Sequence, residues 1–412
     1  MDLINKEKGK TREERNILDI LEKNDFLTYS ENREEDSKEY FDHLWKKEYA
    51  YNYHIIIPTY TCNLNCSYCY QKHLRKKKKD LSYEQIDKIF EAIQKFDNGE
   101  IDNRKSDFKL IQFYGGEPLQ ARLYDIIEYI LEKGTDLGYK FAVLTNSIEL
   151  DRFEPLLEKY KNYITDIQTT LDGPKEIHDS FRYNGAFEKT IENMKKVIDL
   201  GIHVKFRTNV GQQNKEYIKD LANFYMKKGW DKNKNILRYL AVERDEAGGP
   251  CYYLPCLSHD ELLKILNDSI IKNVFGILIG TLRKFYERGH WIPQFYHCPA
   301  HYNQIFYDPY GDMYTCMNAI GIKGLSIGKY YSKFELNENF DKYRNRNILN
   351  MEKCKNCQYR FICGGGCSFN SYLKTGDIFN PDCKTMENLK EFFRLYKETI
   401  SGYEEGTHGC IL

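Results

Sequence analysis

Three cysteines fall within eight residues, Cys62-Asn-Leu-Asn-Cys66-Ser-Tyr-Cys69, a C-x3-C-x2-C spacing directly after a short apolar run. Iron–sulfur clusters are held by cysteine thiolates, and a cubane ordinarily takes four. Three thiolates in one loop therefore suit three irons, with the fourth left for a substrate or cofactor. A zinc knuckle is the alternative, and it would want a fourth ligand such as His73. A second group begins at Cys298, followed by twelve residues, Gly311, four residues and Cys316. Then come Cys354-x2-Cys357-x5-Cys363-x3-Cys367 and, after fifteen more residues, Cys383. By spacing alone, one or two zinc ribbons built from C-x2-C pairs would also fit there.

The chain of 412 residues holds 13 cysteines, an odd number that a pure disulfide framework leaves unexplained. In a reducing cytosol, clustered cysteines point to metal or catalysis. Residues 70–250 carry none, so the metal chemistry sits at the two ends of a long scaffold, with Cys251, Cys256 and Cys410 outside the two groups. The length suits one large α/β domain plus an appendage, and 41% hydrophobic residues suffice for a substantial core. Lys+Arg and Asp+Glu are each 61. That balance gives no general attraction to nucleic acid or an anionic membrane. No apolar run approaches the length of about 18 residues that a membrane span needs. The N-terminus, MDLINKEKGKTREER, lacks the apolar stretch of a secretory signal. A cytoplasmic protein is expected.

The elements that position these cysteines read as short apolar strands at His54–Pro58, Leu110–Tyr114, Phe141–Thr145, Ile164–Thr170, His203–Asn209 and Ile236–Val242. Helical periodicity fills the gaps at Tyr83–Phe96, Leu119–Glu132, Phe187–Leu200 and Lys215–Lys228. Ser82 with Gln85 resembles a capping box. Strands alternating with helices argue for parallel βα units, hence a doubly wound sheet or a full or partial barrel. The pattern breaks near Glu243, and the Gly-Gly-Pro at 248–250 marks a loop. A helical connector is predicted over His259–Arg288. After Trp291 the chain turns Cys-, Gly- and Tyr-rich, which suits short irregular elements held by metal rather than by a large apolar core. A charged helix over Thr385–Lys397 precedes a loose tail, and helical stretches at Asn16–Lys23 and Lys38–Lys47 open the chain. The basic run Arg75–Lys79 reads as a solvated loop, or as a hold for an acidic peptide.

The first cysteine group, with Tyr68 just before its third member, resembles the signature of the radical S-adenosylmethionine (radical SAM) superfamily. Tyr114-Gly115-Gly116-Glu117-Pro118 is similar to that family's GGEP motif, and Leu171-Asp-Gly-Pro174 with His178, Asp179 and Arg182 is similar to its LDGP…HD…R block. The seven cysteines from Cys298 to Cys383 resemble the SPASM extension. The resemblance implies a partial (βα)6 TIM-type barrel, an α/β fold, followed by a small Cys-rich auxiliary iron–sulfur domain. The expected divisions are an N-terminal charged helical extension (1–50), the radical SAM core (51–245), a connector (246–290), the SPASM domain (291–385) and a C-terminal helix and tail (386–412). Cys62, Cys66 and Cys69 would hold a 4Fe–4S cluster that binds SAM. Gly115, Gly116, Glu117 and Pro118 would receive the methionine amino group, with Gly116 letting the backbone approach the ligand closely. Tyr68, Asn146, Thr170 and Arg182 are further cofactor candidates, and Leu240 would cover the adenine. Two auxiliary 4Fe–4S clusters are implied, one on Cys354, Cys357, Cys363 and Cys383. The other takes Cys298, Cys316 and Cys367, but the cysteine usually found just upstream is replaced by Tyr296 and His297. Cys251 or Cys256 would close that cluster, or one iron stays open.

The implied reaction is one-electron cleavage of SAM to a 5′-deoxyadenosyl radical, which abstracts a substrate hydrogen. The leading expectation is a maturase of a ribosomally made peptide, forming a thioether or carbon–carbon crosslink. It would take reducing equivalents from a flavodoxin or ferredoxin and work with a precursor peptide, with a detached leader-binding protein as a further partner. A sulfatase-maturing enzyme is the second reading. Members of that type carry an Asp base right after the cysteine corresponding to Cys316, where this chain has Met317. A non-catalytic Fe–S or zinc scaffold is the third, and it leaves the GGEP and LDGP turns unexplained.

Overall fold

The computed structural model describes residues 38–39, 41–43, 51–242, 257–277, 294–357 and 359–383. Six parallel strands form its centre: β1 (Tyr53–Ile56), β2 (Leu110–Phe113), β3 (Lys140–Leu144), β4 (Ile164–Thr170), β5 (His203–Val210) and β6 (Ile236–Val242). They lie in sequence order, as each crossover helix packs its apolar stripe back on the sheet. Those helices are α1 (Tyr83–Asp97), α2 (Tyr124–Asp136), α3 (Glu154–Tyr160), α4 (Lys175–Phe181), α5 (Ala186–Asp199) and α6 (Ile218–Lys227). The Ser82–Gln85 capping box forms as the sequence predicts, with each side chain bonded to the other residue's amide. His54, Ile55 and Ile56 of β1 are all buried, because helices and neighbouring strands cover both faces of a parallel sheet.

Beyond β6 the connector differs from one continuous helix. It breaks into α7 (His259–Asn267) and α8 (Ser269–Val274) at Asp268, whose carboxylate accepts from the amides of Ile270 and Ile271 and restarts the helix. The short β7 (Gly276–Ile277) then pairs parallel to β6. The predicted remainder of that connector lies outside the described residues, as do the C-terminal helix and most of the N-terminal extension.

The cysteine-rich region is more regular than its composition suggests. Strand β8 (Gln304–Tyr307) pairs parallel to β1 in the register Tyr53–Gln304 to Ile56–Tyr307. It continues by antiparallel pairing into β9 (Asp312–Tyr314), β10 (Gly328–Lys329) and β11 (Glu335–Leu336). The β8–β9 turn is closed by Asp308, whose Oδ1 accepts from Tyr310 N and Asp312 N at 2.9 Å each, with Gly311 at φ +92°. Ile305, Phe306, Tyr307, Met313 and Tyr314 join one hydrophobic core with the barrel strands, so apolar packing as well as cysteine chemistry holds this region. The result is one open sheet of eleven described strands, order β11-β10-β9-β8-β1-β2-β3-β4-β5-β6-β7. His54 links three elements at its centre: its ring nitrogens meet Asp97 on α1 and Tyr307 on β8, each at 3.0 Å.

Candidate functional site

After β1 the chain turns through Pro58–Thr61 into the cysteine loop, at the carboxyl edge where parallel α/β folds place their sites. This turn is joined main chain to main chain with the GGEP segment after β2. Gly116 N donates to Thr59 O at 3.1 Å and Glu117 N to Thr61 O at 2.9 Å. A Cβ on Gly116 would stand 2.1 Å from Thr61 O, and one on Gly115, at φ +130°, would stand 2.6 Å from Thr59 O. The two glycines are required by the approach of the protein's own backbone, where the sequence pointed to the approach of a ligand. Pro118 is buried behind them.

Glu117 is 1% exposed, and its carboxylate faces inward. Oε1 accepts from Leu119 N at 2.9 Å and Thr145 Oγ1 at 2.6 Å, and Oε2 accepts from Asn146 N at 2.6 Å. Burial pushes this carboxyl up to about 7, against the pull of those three donors. Glu117 thereby fixes Asn146, whose Nδ2 reaches Cys62 Sγ at 3.7 Å and Asn63 Oδ1 at 2.7 Å.

Cys66 is buried, and Cys62 and Cys69 are half-buried. Burial pushes the Cys62 thiol up to about 12, and Glu117 adds to it, while the Leu64 amide at 3.4 Å opposes. Cys66 is raised by burial as well, with the Arg182 guanidinium opposing and Asp172 and Cys69 adding. A group so disposed gives up its proton when it ligates a metal, since coordination deprotonates a thiol outright. His73, the residue a zinc knuckle would need, sets its Nδ1 against Tyr70 O at 3.2 Å. Among the described residues no three His, Cys, Asp or Glu side chains converge on one ion position. A cubane does not ask for convergence, because each thiolate takes its own iron. The donor set fits a cluster better than a lone ion.

The LDGP block closes the site's other side. Tyr68 donates to Asp172 Oδ2 at 2.5 Å, Arg182 Nε donates to the same oxygen at 3.2 Å, and Arg182 Nη2 donates to Tyr68 Oη at 2.8 Å. Asp172 is wholly buried and also receives Asn209 Nδ2 at 3.4 Å. His178 is buried too, its Nδ1 accepting from Asp172 N at 3.2 Å. Asp179 caps α5 by accepting from Gly185 N and Phe187 N. Thr170 stands half-buried at the end of β4, while Leu240 lies wholly inside the core. The sequence flagged Arg182 and left Asp172 without a role. The LDGP motif that contains Asp172 was the available signal.

The C-terminal cysteines gather into two sets. Burial pushes Cys354 and Cys363 each up to about 11, with Cys357 and Cys383 adding in both cases. Cys316 is likewise raised by burial, with Cys367 and Cys298 adding. None of the ten described cysteines is in a disulfide. Cys251, Cys256 and Cys410 lie outside the described residues. Among those described, no helix is long and apolar enough to cross a membrane.

Residues 56–225 match the radical SAM superfamily. The radical SAM cyclopropyl synthase TigE of Paramaledivibacter caminithermalis is 23% identical over 361 residues, 79% of this chain and 70% of TigE. A cysteine-type anaerobic sulfatase-maturating enzyme of Clostridium novyi is 22% identical over 358 residues, covering 81% of this chain and 91% of that protein. In fold, the crystal structure of Streptococcus suis SuiB bound to precursor peptide SuiA aligns with a TM-score of 0.59 at 18% identity, over 90% of this chain and 87% of that one. The cysteine loop, the GGEP turn and the LDGP strand end all lie inside the segment, residues 56–225, that matches the radical SAM superfamily.

Proposed function

We propose that this protein is a radical SAM maturase that modifies a ribosomally made peptide, with a SPASM-type region carrying two auxiliary 4Fe–4S clusters. A radical SAM domain implies a 4Fe–4S cluster and SAM, which together supply one-electron SAM cleavage and hydrogen-atom abstraction. The observation that carries the reading is the partition of ten thiols into one loop of three at the sheet edge and two C-terminal sets. Cys62, Cys66 and Cys69 hold the first cluster. The Leu64 amide and Asn146 donate toward the Cys62 sulfur, and Arg182 offsets negative charge beside Cys66. Buried Asp172 fixes that guanidinium, and the Thr59–Thr61 and Gly116–Glu117 main chains lock the loop to β2.

Peptide substrates are favoured because SuiB, whose fold the chain shares over most of its length, is seen with a precursor peptide. A thioether or carbon–carbon crosslink is the bond we assign, and a flavodoxin or ferredoxin the electron donor. The sulfatase-maturing relative supports a second reading, but the position of its expected base is held here by Met317, which is 44% exposed and carries no titratable group. The test is anaerobic reconstitution with dithionite and SAM, followed by peptides encoded beside the gene. Formation of 5′-deoxyadenosine with a peptide mass decreased by a hydrogen pair is expected. Formylglycine on a sulfatase-derived peptide, with the neighbouring peptides untouched, would reverse the ranking.

A further inference from the structure

Arg346 follows α9 (Glu338–Asn345) and is 0% exposed, heading the largest fully buried side chains. Its guanidinium is fixed almost wholly by main-chain carbonyls. Nε donates to Ile378 O, Nη1 to Gly366 O at 2.8 Å, and Nη2 to Gly365 O at 3.0 Å and Asn380 O at 2.9 Å. Gly365 and Gly366 lie between Cys363 of one C-terminal set and Cys367 of the other, and Ile378 and Asn380 lead into Cys383. One side chain thus holds the segments that present both sets.

Carbonyls solvate a cation but do not neutralise it, and an uncompensated buried charge is costly. Asp382, a carboxylate that acts on Arg346, is already paired to Lys374 at 2.7 Å and also receives Asn370 Nδ2 at 3.2 Å. Burial opposes the Arg346 charge, and what favours it comes first from Cys298 and Cys367, then from Cys354. Those cysteines belong to both sets. Cluster potentials are set by net charge, hydrogen bonding and solvent exposure around the core, and a fixed buried cation favours the more negative, reduced state.

We propose that Arg346, buried between the segments that present both sets, is a shared charge-compensating residue for the two auxiliary centres, raising the reduction potential of both. This rests on the auxiliary-cluster reading above. Two variants separate charge from geometry: Arg346→Gln removes the cation and keeps hydrogen-bond donors, whereas Arg346→Lys keeps the cation and loses the fork. Iron content and EPR-monitored redox titration of the anaerobically purified full chain are the readouts. In Arg346→Gln the reduced-to-oxidised ratio of both auxiliary signals at fixed potential should fall about tenfold, a shift of about 59 mV for one electron. The signal from the Cys62/Cys66/Cys69 centre stays in place, and Arg346→Lys stays near wild type. Loss of auxiliary iron in Arg346→Gln with retention in Arg346→Lys also supports a charge role. Equal shifts, equal iron loss in both variants, or unchanged potentials in Arg346→Gln overturn it. Wild-type iron amounting to a single cubane, with no auxiliary signals, overturns the cluster reading itself and this inference with it.

Discussion

The hydroxyl of Tyr68 donates to Asp172 Oδ2 at 2.5 Å, joining the cysteine loop to the end of β4. Arg182 bonds both residues, so a buried cation, a buried carboxylate and a phenol form one closed triangle beside Cys66. The first cysteine loop is therefore held from two sides, by this triangle and by the GGEP main chain.

Breaking the triangle should cost stability before chemistry. Asp172→Asn leaves Arg182 without a counter-charge in a site where its side chain is 5% exposed. Removing one partner of a buried pair costs roughly 3–5 kcal/mol. Tyr68→Phe loses two sides of the triangle but keeps the Arg182–Asp172 ion pair, and should cost less. Thermal unfolding of the two variants checks the order, and equal melting temperatures for Asp172→Asn and wild type would refute it.

Cys66→Ala should abolish SAM cleavage while leaving the C-terminal thiol sets loaded. A cluster with three protein thiolates has no spare ligand, so iron should fall by about one cubane in three. Iron analysis and EPR check this, and persistent reductive SAM cleavage would remove the loop from the site.

Much of this was legible in the chain, for identifiable reasons. All six central strands appear near where alternation of apolar runs and helical stretches put them, because a parallel sheet buried on both faces writes a strong local pattern. Ser82 and Gln85 form their capping box because its geometry is fixed within four residues. Pairing of β8 with β1 was not legible. It joins residues 251 positions apart in chain, as in Tyr53–Gln304, and the run Gln304–Tyr307 is too short to declare its partner. Arg346 gave no signal at all, since its bonds go to carbonyls, which every residue carries. The inward turn of Glu117 was equally hidden, because a motif states which residue stands at a turn and not which way its carboxylate points.

Gly116→Val should lower stability and not only SAM affinity. The added Cβ meets Thr61 O at 2.1 Å, a contact that only backbone movement relieves. Overpacking of this kind costs about 1–3 kcal/mol, occasionally more. Gly116→Ala should share most of the loss, since the clash begins at Cβ. Denaturant unfolding with SAM binding measured alongside decides it: normal stability with weakened SAM affinity would mean that the glycine faces the ligand.

Glu117 supplies a pH test of the loop that carries Asn146. Its carboxyl lies near 7 in the fold against an ordinary value of 4.5, chiefly through burial. A carboxyl raised on folding contributes stability that is fully present below about pH 4.5 and lost as the pH climbs through about 7. Each unit is worth about 1.4 kcal/mol, so about 3 kcal/mol is at stake across that window. Glu117→Gln cannot titrate, and it sets an amide donor against one of the amides or the hydroxyl that Glu117 now accepts from, so it should be less stable than wild type in acid. The difference between the two proteins, measured by denaturant unfolding at a series of pH values, should shrink steadily between pH 4.5 and 8. A constant difference would mean that the three donors keep the carboxylate ionised throughout, with burial outweighed.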